Sequence, residues 1–177
     1  VGLDINSTTG LISGTPITPG SVNTRIEASN QFGTFVKDIQ FLVADFTNWD
    51  YSTDISFPGY SGQSTLSYFP VYVELNASLP EFSYSQFASQ YGYDLRFLEN
   101  NGSTELPYEP VMWNTAGASG FWVLLSSLDQ NTTIRAIWGN SNAIQQPSYC
   151  NDGSVWRNYD AVWHMDGTSL HTIKESR

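Results

Sequence analysis

The chain has 177 residues, enough for one domain or for one domain and part of another, and no apolar run reaches the roughly 18 residues of a membrane-spanning helix. Its net charge of −10 argues against nucleic acid as a partner, because phosphate would be repelled. Only 14% of the residues are charged, whereas six Trp, ten Tyr and ten Phe are present. This composition favours an all-β extracellular protein over a helical cytosolic enzyme.

The first 44 residues predict short strands joined by turns. Side chains alternate strictly between apolar and polar over residues 22–28, which is the period of a half-buried strand. A turn at residues 30–33 returns the chain as a partner strand over 34–43, although Lys37 interrupts its apolar face. Two strands do not make a domain, so we expect the rest of this sheet to come from a preceding part of a longer protein or from another chain.

From residue 49 the composition shifts toward aromatic side chains and short strands. Alternation predicts a strand over 68–75, in which Pro70 indicates an edge strand or a strand start. Further strands are predicted over 55–57, 94–98, 107–113, 121–125, 133–138 and 159–165, and one short helix over 82–91. The predicted fold class is therefore all-β: an immunoglobulin-like sandwich fragment followed by a β-sandwich or jelly-roll-like module.

The beginning of the chain resembles a family of bacterial Ig-like domains. Residues 3–16 carry the pattern Leu-Asp, then Thr-Gly-x-Ile-Ser-Gly-Thr-Pro, with one residue more than usual between Asp4 and Thr9. The resemblance implies that residues 1–44 are the C-terminal part of an Ig-like domain of the He_PIG type, which is related to the cadherin-like repeats of surface proteins.

The remainder resembles DUF2341, an extracellular module of bacteria and archaea that has no assigned reaction. The matching motifs are Trp49-x-Tyr51, Phe69-Pro70-Val71-x-Val73, Gly92-x-Asp94-Leu95-Arg96-Phe97, Leu106-Pro107-Tyr108-Glu109 with Trp113, Phe121-Trp122-Val123 and Trp138-Gly139-Asn140-x-Asn142-Ala143. The resemblance implies a module over residues 45–163. Val162-Trp163-His164-Met165 resembles a junction into a concanavalin-like, laminin-G-type sandwich, so residues 164–177 are expected to begin a further domain.

Aromatic side chains are candidate glycan-binding residues, since sugar rings stack on aromatic planes while amide and acidic side chains bind the hydroxyl groups. The candidates are Tyr72, Tyr108, Trp113, Trp122 and Trp138. The alternative for the three tryptophans is that they fill the sandwich interior, as large rings at alternating strand positions do. Both alternatives stay open.

The acidic residues of the second unit invite comparison with glycosidases, which need two carboxyl groups about 5 Å or about 6.5–9.5 Å apart. We predict instead that Asp94 forms an ion pair with Arg96, because residues two apart on a strand share a face. Glu105 and Glu109 are predicted to be solvated turn charges. We therefore expect no enzymatic activity.

Histidine and cysteine give no catalytic site either. His164 would share a strand face with Asp166, but His171 is the only other histidine, and a zinc site needs three or four ligands. Cys150 has no basic neighbour and is predicted to be an unreactive thiol.

Calcium is the metal that the acidic residues favour, and no other cofactor is predicted. Asp45, Asp50 and Asp54 cluster at the connector between the units, where a bound ion would fix their angle; carboxylates simply facing water are the alternative. Asn-x-Ser/Thr sequons occur at Asn6, Asn76, Asn101 and Asn131, in about the number that chance predicts.

These observations predict a structural or adhesion segment of a multi-domain surface or secreted protein, with weak glycan binding as its molecular activity. Glycans, other surface proteins and copies of the chain itself are the expected partners. Two alternatives stay open: a filament subunit assembled by strand exchange, and an ancillary module of a polysaccharide-degrading enzyme. The filament alternative requires the strand at 22–28 to pair outside its own chain.

Overall fold

The fold is described from a computed structural model for residues 2–16 and 20–164, without the side chain of Leu42. Regular structure is nearly all antiparallel β, which confirms the predicted fold class. The chain divides into two compact units, Val1–Thr47 and Asn48–Arg177. None of the helical turns in the described part of the chain has the length and hydropathy of a membrane span.

Unit 1 consists of two antiparallel hairpins. Strand β1 (Leu3–Ile5) pairs with β2 (Ile12–Gly14), and β3 (Gly20–Asn30) pairs with β4 (Gly33–Val43). The period-two pattern thus predicted the long hairpin, including its turn.

An open apolar groove of about 370 Å³ lies in unit 1, and its lining includes Leu3, Ile5, Ile12, Ile26 and Phe41. Among the described side chains of this unit, none is fully buried. Strand β3 pairs with β4 of its own chain and, within the described residues, with no other strand. The pairing therefore gives the strand-exchange alternative no support.

Unit 2 is a sandwich of two antiparallel sheets. The three-stranded sheet has the order β6 (Leu66–Leu75), β10 (Ser119–Leu128), β9 (Tyr108–Met112). The four-stranded sheet has the order β5 (Tyr51–Ser56), β11 (Thr133–Trp138), β7 (Arg96–Glu99), β8 (Glu105–Leu106). Strand β6 lies at a sheet edge, which is the position that Pro70 predicted.

Alternating side chains from both sheets form the core of unit 2. The buried set includes Val71, Val73, Leu75, Phe97, Tyr108, Phe121, Val123, Leu125, Ile134, Ala136 and Trp138. Each large apolar side chain removed from water in this way stabilises the fold by about 1.5–3 kcal/mol. The sandwich is therefore a rigid body on which surface side chains can be held in place.

The helix predicted over 82–91 is wrong. Only Tyr84–Gln86 forms a single 3₁₀ turn, with a capping box between Ser83 and Gln86. The rings of Phe82 and Phe87 instead pack on Trp138, with centroids 5.3 and 5.8 Å from it. The apolar spacing came from core packing of an irregular segment and not from a helix face.

The strand predicted over 159–165 is also wrong within the described residues, where only Trp163 forms an isolated bridge. Two 3₁₀ turns precede it, at Ser148–Cys150 and Ser154–Trp156. Val155 and Trp156 pack on Leu124 of β10 and so cover part of the outer face of the three-stranded sheet. The further domain expected at 164–177 lies outside the described residues except for its first residue.

Candidate functional site

An aromatic surface lies on the outer face of the three-stranded sheet, and we call Tyr68, Tyr72 and Trp122 the outer aromatic face. Tyr72 on β6 is directly opposite Trp122 on β10, and their ring centroids are 5.4 Å apart at 68°. Trp156 packs on Trp122 at a centroid distance of 5.4 Å and is itself buried, so it supports the Trp122 ring without offering a face to a ligand. The side chain of Arg157 lies 4.3 Å from the ring centroid of Tyr68. Because Tyr72 is 47% exposed, its ring is available to a ligand.

The ring of Tyr72 lies over a glycine in the neighbouring strand. A Cβ atom added at Gly120 would collide with the Tyr72 hydroxyl, so a larger residue there would displace the ring. The register of β10 against β9 also shifts between Gly120 and Phe121. A glycine inside a strand indicates a bulge or close approach of another group, and this signal was available in the sequence.

Glu109 on β9 holds the ring of Trp156 in place. One carboxylate oxygen accepts a 2.8 Å hydrogen bond from the indole Nε1–H of Trp156, and the other lies 3.1 Å from Nε2 of His164. Glu109 is only 6% exposed, so its prediction as a solvated turn charge was wrong. Trp156, which contacts Glu109, lies 47 residues later in the chain. The sequence pattern around Glu109 therefore could not predict its burial. Asp166 and His171, the other residues considered with His164, lie outside the described residues.

A second aromatic surface, which we call the tyrosine groove, contains another predicted glycan residue. It has a volume of about 190 Å³ and is lined by Tyr91, Gly92, Tyr93, Tyr108, Pro110, Trp113, Phe121 and Gln146. Trp113 is fixed within it, since its Nε1–H donates a 2.9 Å hydrogen bond to the Gln90 carbonyl. Gly92 lies against the indole, and an added Cβ there would come within 2.5 Å of it.

Two of the five predicted glycan residues lie in the interior. Trp138 is 0% exposed, and its Nε1–H donates to the Gln86 side-chain oxygen at 3.1 Å. Tyr108 is buried beneath the tyrosine groove and donates its hydroxyl hydrogen to the Leu95 carbonyl at 3.0 Å. As a correction to their assignment, neither ring offers a face for stacking. Tyr72 and Trp122 lie together on the outer aromatic face, and Trp113 lies apart from them in the groove.

The predicted ion pair between Asp94 and Arg96 is wrong. Asp94 is buried and accepts hydrogen bonds from the backbone N–H groups of Ala88, Ser89 and Gly139, at 2.8, 2.9 and 3.0 Å. It lies in a turn, and β7 begins only at Arg96, so the two residues do not share a strand face. The carboxylate therefore joins the 88–95 loop to the end of β11.

Arg96 pairs with Glu105 instead, with Nε 3.1 Å from the carboxylate oxygen. The hydroxyl of Tyr149 also donates to Glu105, and the Arg96 guanidinium lies 5.4 Å from the ring centroid of Trp49. Glu105 is thus a partly buried structural charge and not the predicted solvated one. Its two partners, Arg96 and Tyr149, come from separate parts of the chain.

Cys150 is buried, and this burial raises the pKa of its thiol from 9.0 to about 12. Since the thiolate is the nucleophile, the raised pKa reduces the reactive fraction at pH 8 by about a thousandfold. We predict negligible alkylation by iodoacetamide in the native protein at pH 8 and complete alkylation in guanidinium chloride, measured by mass spectrometry. Rapid modification of the native protein would contradict the burial of this thiol.

The three aspartates predicted as calcium ligands differ in their hydrogen-bond and ion-pair partners. Asp45 accepts hydrogen bonds from the Thr47 hydroxyl and N–H, and these lower the pKa of Asp45. Asp54 forms a two-point ion pair with Arg135, at 2.8 and 3.3 Å, which lowers the pKa of Asp54. Asp50 is exposed in a bend. Within the described residues, no group of three or more His, Cys, Asp or Glu side chains is arranged to hold a metal ion.

The four sequon asparagines all lie in turns or at strand ends of the protein surface. They are Asn6, Asn76, Asn101 and Asn131. In three of them, the side-chain oxygen accepts a hydrogen bond from the backbone N–H two residues later, at 2.9 Å in each case. These are surface positions that a glycan would require.

Comparison with known families supports the Ig-like assignment of the first 44 residues. The family model described as "Putative Ig domain" matches residues 1–44, which lie within unit 1. The resemblance of residues 45–163 to DUF2341, and of the following residues to a laminin-G-type sandwich, rests on the motifs alone. No curated protein and no solved structure matches the chain. An Ig-like start is consistent with an extracellular structural module.

Proposed function

We propose that the chain is an extracellular, non-enzymatic structural or adhesion segment, and that unit 2 binds neutral glycans weakly through the outer aromatic face. The observation that carries this proposal is the pairing of half-exposed Tyr72 with Trp122 across neighbouring strands. Both rings are attached to a sandwich with its own buried aromatic core. A ligand therefore meets surfaces that are already in position, which lowers the entropy cost of binding.

The charge of the protein favours an uncharged ligand. With a net charge of −10, the chain would repel sulfated or uronate-rich polysaccharides. Neutral sugars bind without that repulsion, through ring stacking and hydrogen bonds to the hydroxyl groups. Glu74 lies two residues from Tyr72 on β6 and is exposed; its Oε1 accepts a 2.9 Å hydrogen bond from Asn76 Nδ2, and its other oxygen can accept a hydrogen bond from a sugar hydroxyl.

The three carboxylates of unit 2 that invite comparison with those of glycosidases favour a binding role over hydrolysis. Asp94, Glu105 and Glu109 each hold structural partners, namely backbone N–H groups, Arg96 with Tyr149, and Trp156 with His164. A glycosidase instead needs two carboxyl groups directed at one glycosidic bond. The proposal requires neither a metal nor an organic cofactor.

A glycan array of neutral and acidic polysaccharides, probed with the wild-type chain and its Trp122→Ala and Tyr72→Ala variants, tests this function. We expect binding of neutral glycans with dissociation constants on the order of 0.1–1 mM, weakened about tenfold by either substitution. Phe32→Ser is the matched control, because it removes an exposed ring from unit 1. Absence of binding by the wild type would overturn the glycan role, and release of reducing ends from any glycan would overturn the non-enzymatic assignment.

A further inference from the structure

We infer that the tyrosine groove is a second sugar site, which holds a single neutral pyranose ring of the same glycan class. This inference rests on the glycan binding proposed above, but it concerns different residues. The groove shares none of its lining residues with the outer aromatic face. Its size, its lining and the rigidity of its main ring each support this ligand class.

The size of the groove limits the ligand. Pockets for drug-sized molecules have volumes of about 300–1,000 Å³. At about 190 Å³, the tyrosine groove is smaller and accommodates about one six-membered ring with its hydroxyl groups. The remaining sugars of a longer chain would extend past Tyr91, which is 58% exposed.

The lining of the groove excludes charged ligands. It carries three Tyr, one Trp, one Phe and one Pro, and no Asp, Glu, Lys, Arg or His. A phosphate, sulfate or uronate group would therefore lose its hydration without gaining an opposite charge. Gln146 supplies the one side-chain amide in the lining; its Oε1 accepts a 3.1 Å hydrogen bond from Asn151 Nδ2, and its NH₂ group can donate to a sugar hydroxyl.

Trp113 is held in position before any ligand arrives. Its indole packs edge to face on Tyr84 and Phe87, with centroids at 5.2 and 5.0 Å. Gly92 has φ of 69° and lies against the same indole, so the backbone supports the ring from below. A ring fixed by neighbours on several sides loses little entropy when a sugar stacks on it.

A proline-rich peptide is the other ligand class that aromatic grooves bind. Such a peptide binds in an extended conformation and contacts a groove with several consecutive residues. At about 190 Å³, the tyrosine groove holds about one six-membered ring. The size of the groove thus favours a single sugar ring over a peptide.

The test is isothermal titration of the wild-type chain with cellopentaose, mannopentaose and laminaripentaose. The variants are Tyr91→Ala and Gln146→Ala, which change partly exposed side chains and leave the packed Trp113 in place. We expect each variant to weaken binding of the preferred pentasaccharide by about fivefold or more. Trp122→Ala should weaken binding at the outer aromatic face and leave binding at the groove in place, so that only the double variant with Tyr91→Ala weakens binding at both sites.

The outcomes separate the two proposals. If the wild type binds and Trp122→Ala weakens binding while Tyr91→Ala and Gln146→Ala do not, the groove inference is overturned and the proposed function stands. If the wild type binds none of the three pentasaccharides and no glycan of the array, the proposed function fails and the groove inference fails with it. Competition by a proline-rich decapeptide at lower concentration than the sugar would also overturn the groove inference.

Discussion

Replacing Asp94 with Ala is expected to destabilise unit 2 by about 3–5 kcal/mol, because one buried and two partly buried backbone N–H groups would lose their carboxylate acceptor. Two of these groups lie in the 88–95 loop and the third, that of Gly139, follows β11. Asp94→Asn should cost less, about 1–3 kcal/mol, since one oxygen remains while the new amide opposes an N–H donor. The variants therefore test whether this carboxylate joins the loop to the sheet.

The measurement is guanidinium chloride unfolding followed by tryptophan fluorescence, which reports on unit 2 because all six Trp lie at residue 49 or later. Asp152→Asn is the matched control, since Asp152 is exposed and caps a turn through Ser154. It should cost less than about 1 kcal/mol. Equal effects of the Asp94 and Asp152 substitutions would show that Asp94 does not join these segments.

Replacing Trp138 with Ala should destabilise unit 2 by about 3–5 kcal/mol, the usual cost of removing a fully buried large aromatic side chain. The indole packs against Tyr51, Phe82 and Phe87, with centroids 6.1, 5.3 and 5.8 Å away. Its removal also leaves the Gln86 amide without the Nε1–H donor. Trp138→Phe keeps most of the apolar volume and should retain the fold at a smaller cost.

Trp122→Ala is the matched comparison for Trp138→Ala, because both variants remove an indole from unit 2. Trp122 lies on the outer face and is only partly buried, so its removal should cost about 1–2 kcal/mol, well below the cost at Trp138. In the unfolding assay, the Trp138→Ala variant should therefore have a clearly lower guanidinium chloride midpoint than the Trp122→Ala variant. Equal destabilisation would mean that Trp122 stabilises the packed interior as much as Trp138 does. It would then contradict the proposal that the outer aromatic face is a binding surface.

Local pattern predicted those features that depend on neighbours along the chain. The alternation over 68–75 produced a strand whose apolar face is buried in the core, and the alternation over 22–28 produced a strand whose apolar face is at most partly buried among the described residues. Pro70, which cannot donate to a neighbouring strand, predicted an edge strand or a strand start, and β6 lies at an edge. The all-β class followed in the same way.

Contacts between distant segments could not be predicted. Arg96 reaches Glu105 and not Asp94, because the turn at Asp94 removes it from the strand face. Glu109 is buried by Trp156, which a spacing argument does not connect to it. For the same reason, composition identified aromatic candidates without separating Trp138 in the core from Trp122 on the surface.

The most direct test of glycan binding by surface rings follows the six indole N–H signals of the ¹⁵N-labelled chain during titration with cellopentaose, mannopentaose and laminaripentaose. Glycan binding at both aromatic surfaces predicts that the signals of Trp122 and Trp113 move in a saturable way, while that of buried Trp138 stays in place. If neither Trp122 nor Trp113 moves at saturating sugar, or if Trp138 moves as far as they do, the surface rings are not the binding site.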